Sequence, residues 1–424
     1  MSSEDRFLTK GIVLVIIIGV AIRLILGYTL EFTNDVTAWT ITITNIDSGN
    51  GLYSVAGFYY PPVWGYMLAS FAEVIEHLGV DSLGDFFTEL LFMMEINEEA
   101  IVSTPIFNLC FTIFLMIGDL LCSFMLYWIV MQLTSNRRKA RMAFALYFLA
   151  VNVIVISSVG AMFDTFSALF TLTCVCLLLK GHDFLAGSMF AMAVLLKFFP
   201  AFLIFILVAY VYKKGADRWK TRLAMTILGA GITTLILILP QIVNGEGSMI
   251  ISALTSRTGA ETENIIDLLD KIGMFILYPL ALILEILIAI HFVKSKKEDI
   301  DGVFIGHLIL SAAVIFLYPG TPQYLLLMMP FIIIGAVMFD GRYLRPYVFL
   351  IIGSPMTVLE HLPGNLISIS FYDGFPSYDV LTHLYDVIYS NGAILHEIVI
   401  SLSQWLQIIA TALTIILSYY VVVN

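Results

Sequence analysis

The stretch that decides the fold is GIVLVIIIGVAIRLILGYTL, residues 11–30, in which Arg23 is the one charged side chain. A helix of this length, at 1.5 Å per residue, matches the hydrocarbon core of a bilayer, which is about 30 Å thick. The run is longer than the apolar region of a signal peptide, and no small-residue cleavage site follows it. We therefore interpret it as a retained first transmembrane helix.

The rest of the chain has the same character. Of its 424 residues, 60% are hydrophobic and 12% are charged, whereas soluble domains carry about 25% charged residues. This composition predicts an all-α polytopic membrane protein, a single integral-membrane domain over residues 1–424. We expect about 12 transmembrane helices, some of them short or broken. The predicted spans are 11–30, 106–133, 141–159, 165–180, 184–197, 199–213, 223–243, 272–293, 302–318, 322–339, 344–360 and 397–422.

The distribution of charge predicts the orientation. Residues 31–105 contain eleven acidic side chains and no Lys or Arg, although the chain has a net charge of −11 and 21 Lys and Arg in all. With the N-terminus inside, seventeen of those basic residues fall on the cytoplasmic side. Because cytoplasmic loops are enriched in Lys and Arg, we predict a multi-pass protein with both termini in the cytoplasm.

The long connections lie on the other side of the membrane. The first, residues 31–105, includes the semi-apolar segment Val63–His77, which we interpret as an interfacial helix. Two more connections, 244–271 and 361–396, are also long, and long loops are often functional. The predicted inner loops are short and contain no phosphate-binding Gly loop or nucleotide motif. We therefore expect chemistry on the extracytoplasmic face and no nucleic-acid partner.

Two residues of the first outer loop are candidates for the chemistry. Asp35 follows the first span within a few residues and could act as a general base that deprotonates an acceptor hydroxyl. The alternative is an ordinary acid of an acidic loop. Tyr60, in the Tyr-Tyr-Pro-Pro run, either anchors the chain at the headgroup level or stacks on a sugar or a lipid phosphate. No Asp-x-Asp is present, so a divalent metal is only weakly supported.

Charged residues within or beside the spans form a second group. Lys197 interrupts an apolar run just before Pro200, and an intramembrane lysine suggests either an anion-binding site or snorkelling to the interface. Asp164 begins a span, where it could serve a site or simply complement the helix dipole. Arg23 and Asp119 could form a structural ion pair.

Polar residues at two further outer positions complete the candidates. Gln323 and Tyr324 follow an outer turn and could close on a substrate, or form an ordinary turn. Arg257, in the third outer loop, could assist a lysine in binding a phosphate. The four cysteines all lie in apolar runs, so we expect buried thiols rather than disulfides or a zinc site.

Taken in order, several motifs resemble the GT-C superfamily of polyprenol-phosphate-sugar glycosyltransferases. The resemblance is greatest to the catalytic subunit of GPI mannosyltransferase I and to related prokaryotic polytopic mannosyltransferases. The motifs are Asn34-Asp35, Gly51-Leu52-Tyr53, Tyr60-Pro61-Pro62, Ile117-Gly118-Asp119-Leu120-Leu121, Gly160-Ala161-Met162-Phe163-Asp164, Leu195-Leu196-Lys197-Phe198-Phe199-Pro200 and Thr321-Pro322-Gln323-Tyr324. They cover residues 20–340, approximately. The lone Asp35 departs from the Asp-x-Asp of the eukaryotic proteins.

The resemblance implies an inverting glycosyltransferase that moves a sugar, commonly mannose, from a polyprenyl or dolichyl monophosphate to a glycan or lipid acceptor. Asp35 would be the catalytic base and Lys197 a contact to the donor phosphate, while Asp164, Tyr60 and Gln323 would line the site. An accessory subunit is left open. A transporter or flippase for lipid-linked sugars is the alternative, although no internal repeat is visible. A non-catalytic scaffold would leave Lys197 unexplained.

Overall fold

A computed structural model describes residues 7–54, 58, 60–80, 104–247, 265–316, 322–360, 366–368 and 393–423. Its regular secondary structure in these ranges is helical, apart from one pair of three-residue strands. The helices before Lys197 are α1 (Lys10–Thr29), α2 (Thr33–Asp47), α3 (Pro62–His77), α4 (Pro105–Thr134), α5 (Arg137–Phe148), α6 (Asp164–Lys180) and α7 (Asp183–Leu196). The later helices are α8 (Ile204–Gly215), α9 (Trp219–Val243), α10 (Ile265–Lys294), α11 (Ile300–Ile315), α12 (Leu325–Met338), α13 (Leu344–Glu360) and α14 (Ala393–Val423).

Helices long and apolar enough to cross a membrane identify the chain as a helical membrane protein. Within the described ranges there are four of them: Lys10–Thr29, Pro105–Thr134, Phe199–Val243 and Ser401–Val423. A fifth results if α5 and the following π-helical turns, Val153–Val159, count as one span bent by 57°. Each predicted span overlaps a helix, and several of these helices are too short to count among the four: α7 has 14 residues, α11 has 16 and α12 has 14.

The helix boundaries follow from local sequence. Thr104 caps α4 by accepting a hydrogen bond from the Phe107 amide (3.2 Å), and Pro105 occupies the first turn, where its missing N–H costs nothing. Asn136 caps α5 in the same way, through Arg138 and Lys139. The N-terminal part of the connection 31–105, predicted without a helix, contains α2.

A short antiparallel sheet joins the connection 31–105 to the connection 361–396. Strand β1 (Leu30–Phe32) leaves α1 and pairs with β2 (Leu366–Ser368), in the register Glu31 opposite Ile367. The buried Asn108 of α4 secures the same region, because its amide donates to the carbonyls of Gly27 (2.7 Å) and Leu30 (2.6 Å). The chain direction at the start of α2 is therefore set by contacts from α4 and from the C-terminal third.

The predicted pair of Arg23 and Asp119 is present and fully buried. Arg23 Nη2 lies 3.1 Å from Asp119 Oδ2, and its other nitrogens donate to the carbonyls of Gly19 and Phe148 and to Ser158 Oγ. Ser157 and Ser158 also donate to the two oxygens of Asp119, at 2.8 and 2.7 Å. Because each charge has several partners, this network connects α1, α4 and the π-helical turns as a structural unit.

Glycines allow α7 and α9 to touch through their backbones. A Cβ on Gly187 would collide with the carbonyl of Thr226, and one on Gly229 would collide with the carbonyl of Phe184. Small residues of this kind are what close helix pairs in membranes require. The pair is fastened at its polar end by Arg222, which binds the carboxylate of Asp183 through Nε and Nη2.

Candidate functional site

Lys197 lies at a break between two helices. Helix α7 ends at Leu196, Lys197 is extended, and a 3₁₀ turn, Phe199–Leu203, leads into α8. Pro200 at the second position of that turn prevents α7 from continuing, because its ring would clash with the preceding turn. The predicted break is therefore confirmed, although the helix ends four residues before the proline rather than at it.

The lysine is buried and forms an ion pair with Asp164. Its Nζ lies 2.5 Å from Asp164 Oδ1, and the exposed fractions of the two side chains are 9% and 3%. The ammonium group of Lys197 therefore points into the protein, toward Asp164, and not out to solvent. Asp164 is the first residue of α6, a position at which the helix dipole also favours a negative charge. Two sites predicted from separate motifs are thus brought into direct contact.

Aromatic rings flank the ammonium group. Lys197 Nζ lies 4.3 Å from the ring centre of Tyr324 and 5.1 Å from that of Phe163. Phe199 packs against Tyr324 with 4.5 Å between ring centres. Rings at these distances stabilise a cation through their quadrupoles. We refer to Lys197, Asp164, Phe163 and Tyr324 as the Lys197 site.

Phe163 connects the Lys197 site to the first outer loop. Trp64 of α3 stacks on Phe163 (4.3 Å, 14°), and Tyr60 meets its ring edge to face at 4.9 Å. Trp39 of α2 packs on the same three rings and donates from Nε1 to the carbonyl of Ala161 (3.0 Å). Helices α2 and α3 are therefore held against the turn that precedes Asp164.

Asp35 belongs to the helix that makes this contact. It lies in the first turn of α2, is half-buried, and precedes Trp39 by one turn. Residues four apart share one face of a helix, so Asp35 lies on the face of α2 that Trp39 turns toward Ala161 and Phe163. The structure thus places the predicted base on an element that packs beside the Lys197 site.

Tyr60 is held by a second contact within the loop. Tyr53 donates from its hydroxyl to the Tyr60 carbonyl (3.0 Å). Burial, with the carboxylate of Glu246 nearby, raises the pKa of Tyr53, so this hydroxyl keeps its proton. Glu246 lies against Gly51, where a Cβ would collide with its carboxylate. The Gly51-Leu52-Tyr53 motif therefore forms a contact between the connections 31–105 and 244–271.

The remaining candidates are less well defined. Gln323 is half-buried in the 3₁₀ turn Pro322–Tyr324, directly before the ring that contacts Lys197. Arg257 lies outside the described residues. Within the part of the chain that is described, no group of three or more His, Cys, Asp and Glu side chains could hold a metal ion. The four cysteines are free thiols.

Sequence reasoning missed the aromatic residues that organise the site. Trp39, Trp64 and Phe163 were not candidates, although they join α2, α3 and α6. The spacing of Trp39 one turn after Asp35 was the available signal. Its partner Ala161 is 122 residues away along the chain, and Tyr60 and Trp64 also belong to a different element, so no local pattern could identify these contacts.

Comparison with known proteins does not assign a function to the site. No protein-family model matches the chain, and no curated protein sequence matches it significantly.

Proposed function

We propose that this protein is an inverting glycosyltransferase that takes a sugar, mannose as the first choice, from a polyprenyl or dolichyl monophosphate donor. The acceptor is a lipid- or protein-linked glycan. The observation that carries the proposal is the buried pair of Lys197 and Asp164 at a helix break, bordered by aromatic rings that also contact the helix of Asp35. Intramembrane charges at such breaks commonly mark substrate sites.

The proposal includes the finer topology. We infer about 12 membrane crossings, both termini in the cytoplasm and the Lys197 site at the extracytoplasmic face. Supporting this orientation, α2 and α3 contact Phe163 of the site, whereas the basic connections follow the opposite ends of the helices that lead to it. Membrane lipids surround the domain, and an accessory subunit is compatible with the exposed helix faces.

Each step has a residue to perform it. The acceptor hydroxyl attacks the anomeric carbon while Asp35 takes its proton, and the bond from that carbon to the phosphate oxygen breaks. The electrons of that bond stay on the polyprenyl phosphate, whose charge Lys197 stabilises. Asp164 orients Lys197, whose ammonium group contacts both the Asp164 carboxylate and the donor phosphate. The rings of Tyr60 and Tyr324 provide surfaces for the sugar.

Transfer from radiolabelled polyprenyl-phosphate mannose, in membranes that contain the protein, tests the proposal. We expect label in a glycan product with the wild type, and a loss of about 10²- to 10⁴-fold with Asp35→Asn, the range of general-base catalysis. Asp47→Asn is the matched control, because Asp47 ends the same helix and is exposed. It should retain full activity.

The outcomes separate the proposal from its alternative. Movement of labelled donor across the membrane without a new glycosidic bond would identify a transporter or flippase instead. Transfer that survives Asp35→Asn would keep the enzyme and remove Asp35 as its base. If label fails to transfer from mannose, glucose and other hexose donors alike, the proposed activity is wrong.

A further inference from the structure

A second concave site lies away from the Lys197 site, between helices α8, α9 and α10. It is an apolar groove of about 560 Å³, within the size range of ligand sites. Its walls include Ile204 and Val208 of α8, Leu223 of α9 and Ile290 of α10, and its far end is formed by Tyr212, Trp219 and Lys294. We call it the α8–α10 groove.

The far end of the groove has the composition of a membrane–water boundary. Tyr212 and Trp219 meet edge to face with 5.2 Å between ring centres, and Tyr212 is 45% exposed. Tyr and Trp are enriched where a bilayer meets water. The apolar part of the groove therefore lies at the depth of acyl chains, and the end with Lys294 lies at the depth of headgroups.

Positive charge at this end is available for a ligand. The nearby cations Lys213, Lys214 and Arg222 are engaged with the Phe292 and Ser295 carbonyls, with Asp301 and with Asp183, respectively. Lys294, in contrast, is exposed on the groove wall, and no carboxylate of the described residues pairs with it. Lys220 lies over the ring of Trp219, at 5.8 Å, on the same side.

We propose that the α8–α10 groove binds one anionic phospholipid of the membrane. An acyl chain would lie along α8 from Ile204 to Tyr212, about 12 Å at 1.5 Å per residue, with the phosphate beside Lys294. Charge complementarity selects this occupant, because an apolar channel that ends in lysines and interfacial aromatic residues favours an anionic headgroup. The inference does not depend on the proposed glycosyl transfer.

The donor lipid is the main competing occupant. Its tail could enter the groove near Ile204, seven residues after Lys197. In that case its phosphate would lie at the Lys197 site, at the opposite end from Lys294. Removing the charge of Lys294 would then leave occupancy unchanged, so the two occupants are distinguishable.

Trp219 provides a reporter in the groove wall. The purified protein is reconstituted in phosphatidylcholine vesicles that contain increasing fractions of phosphatidylglycerol with brominated acyl chains, or of brominated phosphatidylcholine. Bromine quenches tryptophan on contact. The Trp219 signal is the fluorescence of the wild type minus that of Trp219→Phe, which removes the contribution of the other four tryptophans, since the chain has five.

We expect brominated phosphatidylglycerol to quench Trp219 at an about fivefold lower mole fraction than brominated phosphatidylcholine, equivalent to about 1 kcal/mol for one lysine. Lys294→Gln should abolish this preference. Lys296→Gln, an equal loss of charge at an exposed position that does not line the groove, should preserve it.

Three results would overturn the inference. Equal quenching by the two lipids would mean that the groove accepts any acyl chain. Equal losses in Lys294→Gln and Lys296→Gln would mean that diffuse surface charge attracts the lipid. A preference that survives Lys294→Gln and disappears when polyprenyl phosphate is added would identify the donor tail as the occupant.

Discussion

Two buried ion pairs lie in the apolar interior of the described part of the chain, and they differ in their surroundings. Arg23 and Asp119 are completely enclosed, and serines and backbone carbonyls satisfy both groups. Lys197 and Asp164 lie at a helix break, beside aromatic rings that reach the outer loop. The first arrangement is what a structural pair needs, whereas the second places the cation beside aromatic rings, one of which also contacts Trp39 of α2.

Single and double variants of Lys197 and Asp164 allow the effect of the ion pair on stability to be measured separately from its effect on activity. Removing one partner leaves a buried charge uncompensated, so Lys197→Met and Asp164→Asn should each lower the free energy of unfolding by about 3–5 kcal/mol. The double variant removes both charges and should recover most of that stability, because buried pairs are often replaceable by uncharged residues. Thermal unfolding in detergent measures the three variants.

Activity should not follow stability in the same variants. If Lys197 stabilises the leaving phosphate, the double variant will be folded and still inactive in sugar transfer. A double variant that recovers both stability and transfer would show that the pair is purely structural. Additive losses in the two single variants, with no recovery in the double one, would contradict the ion pair itself.

At the scale of elements, the contact between α7 and α9 fixes the helix that presents Lys197. Gly187 and Gly229 let the two backbones approach until no Cβ can fit between them. Because α7 ends one residue before Lys197, a displacement of α7 would move the lysine relative to Asp164. Packing along α7, away from Lys197, therefore contributes to the geometry of the Lys197 site.

Two glycines of α9 provide a matched test of this contact. Gly229→Ala would force a Cβ onto the Phe184 carbonyl, so we expect a loss of about 1–3 kcal/mol in unfolding free energy. Gly231→Ala adds the same atom where nothing lies within 4 Å, so it should be neutral or stabilise by up to about 1 kcal/mol. Chemical unfolding in mixed micelles measures both.

Two results would contradict the predicted difference between Gly229→Ala and Gly231→Ala. If Gly231→Ala destabilises as much as Gly229→Ala, helix flexibility rather than the contact explains the glycines. If neither change has an effect, α7 and α9 are not in backbone contact.

At the scale of the whole molecule, the number of membrane crossings is the main open prediction. Four or five helices within the described ranges meet the length and composition needed to cross, and the proposed topology requires the shorter ones to cross as well. Short spans such as α7, of 14 residues, reach only about 21 Å at 1.5 Å per residue. They need a thinned bilayer or neighbouring protein around their ends.

Cysteine labelling in intact cells tests the topology at exposed positions. A membrane-impermeant maleimide should label Asn50→Cys and Asn244→Cys without permeabilisation, and should label Asn136→Cys and Lys296→Cys only after it. The parent chain, with its four mostly buried cysteines, gives the background. Labelling of Lys296→Cys from outside would remove the alternation on which the orientation depends.

Much of the fold was predictable because its signals are local. Apolar runs of membrane length predicted where the helices lie, and proline predicted the break beside Lys197. The strand pair between Leu30–Phe32 and Leu366–Ser368 was not predicted, since three-residue strands have no periodicity to detect and their partners are more than 300 residues apart. The bend after α5 was missed as well, because its π-helical turns are as apolar as a continuous span.

The sequence by itself determined that this is a helical membrane protein, since hydrophobicity and length decide whether a segment partitions into a bilayer. It also identified Asp35, Asp164 and Lys197 as candidate site residues, because a charged side chain in or beside an apolar run has a high free-energy cost and is therefore rare. Only the tertiary structure decided that Lys197 takes Asp164 as its partner, and that Trp39 and Phe163 join the first outer loop to that pair. The physical reason is that a buried charge needs a partner of opposite charge or a hydrogen-bonding group, and the packing of the whole chain determines which such group lies next to it.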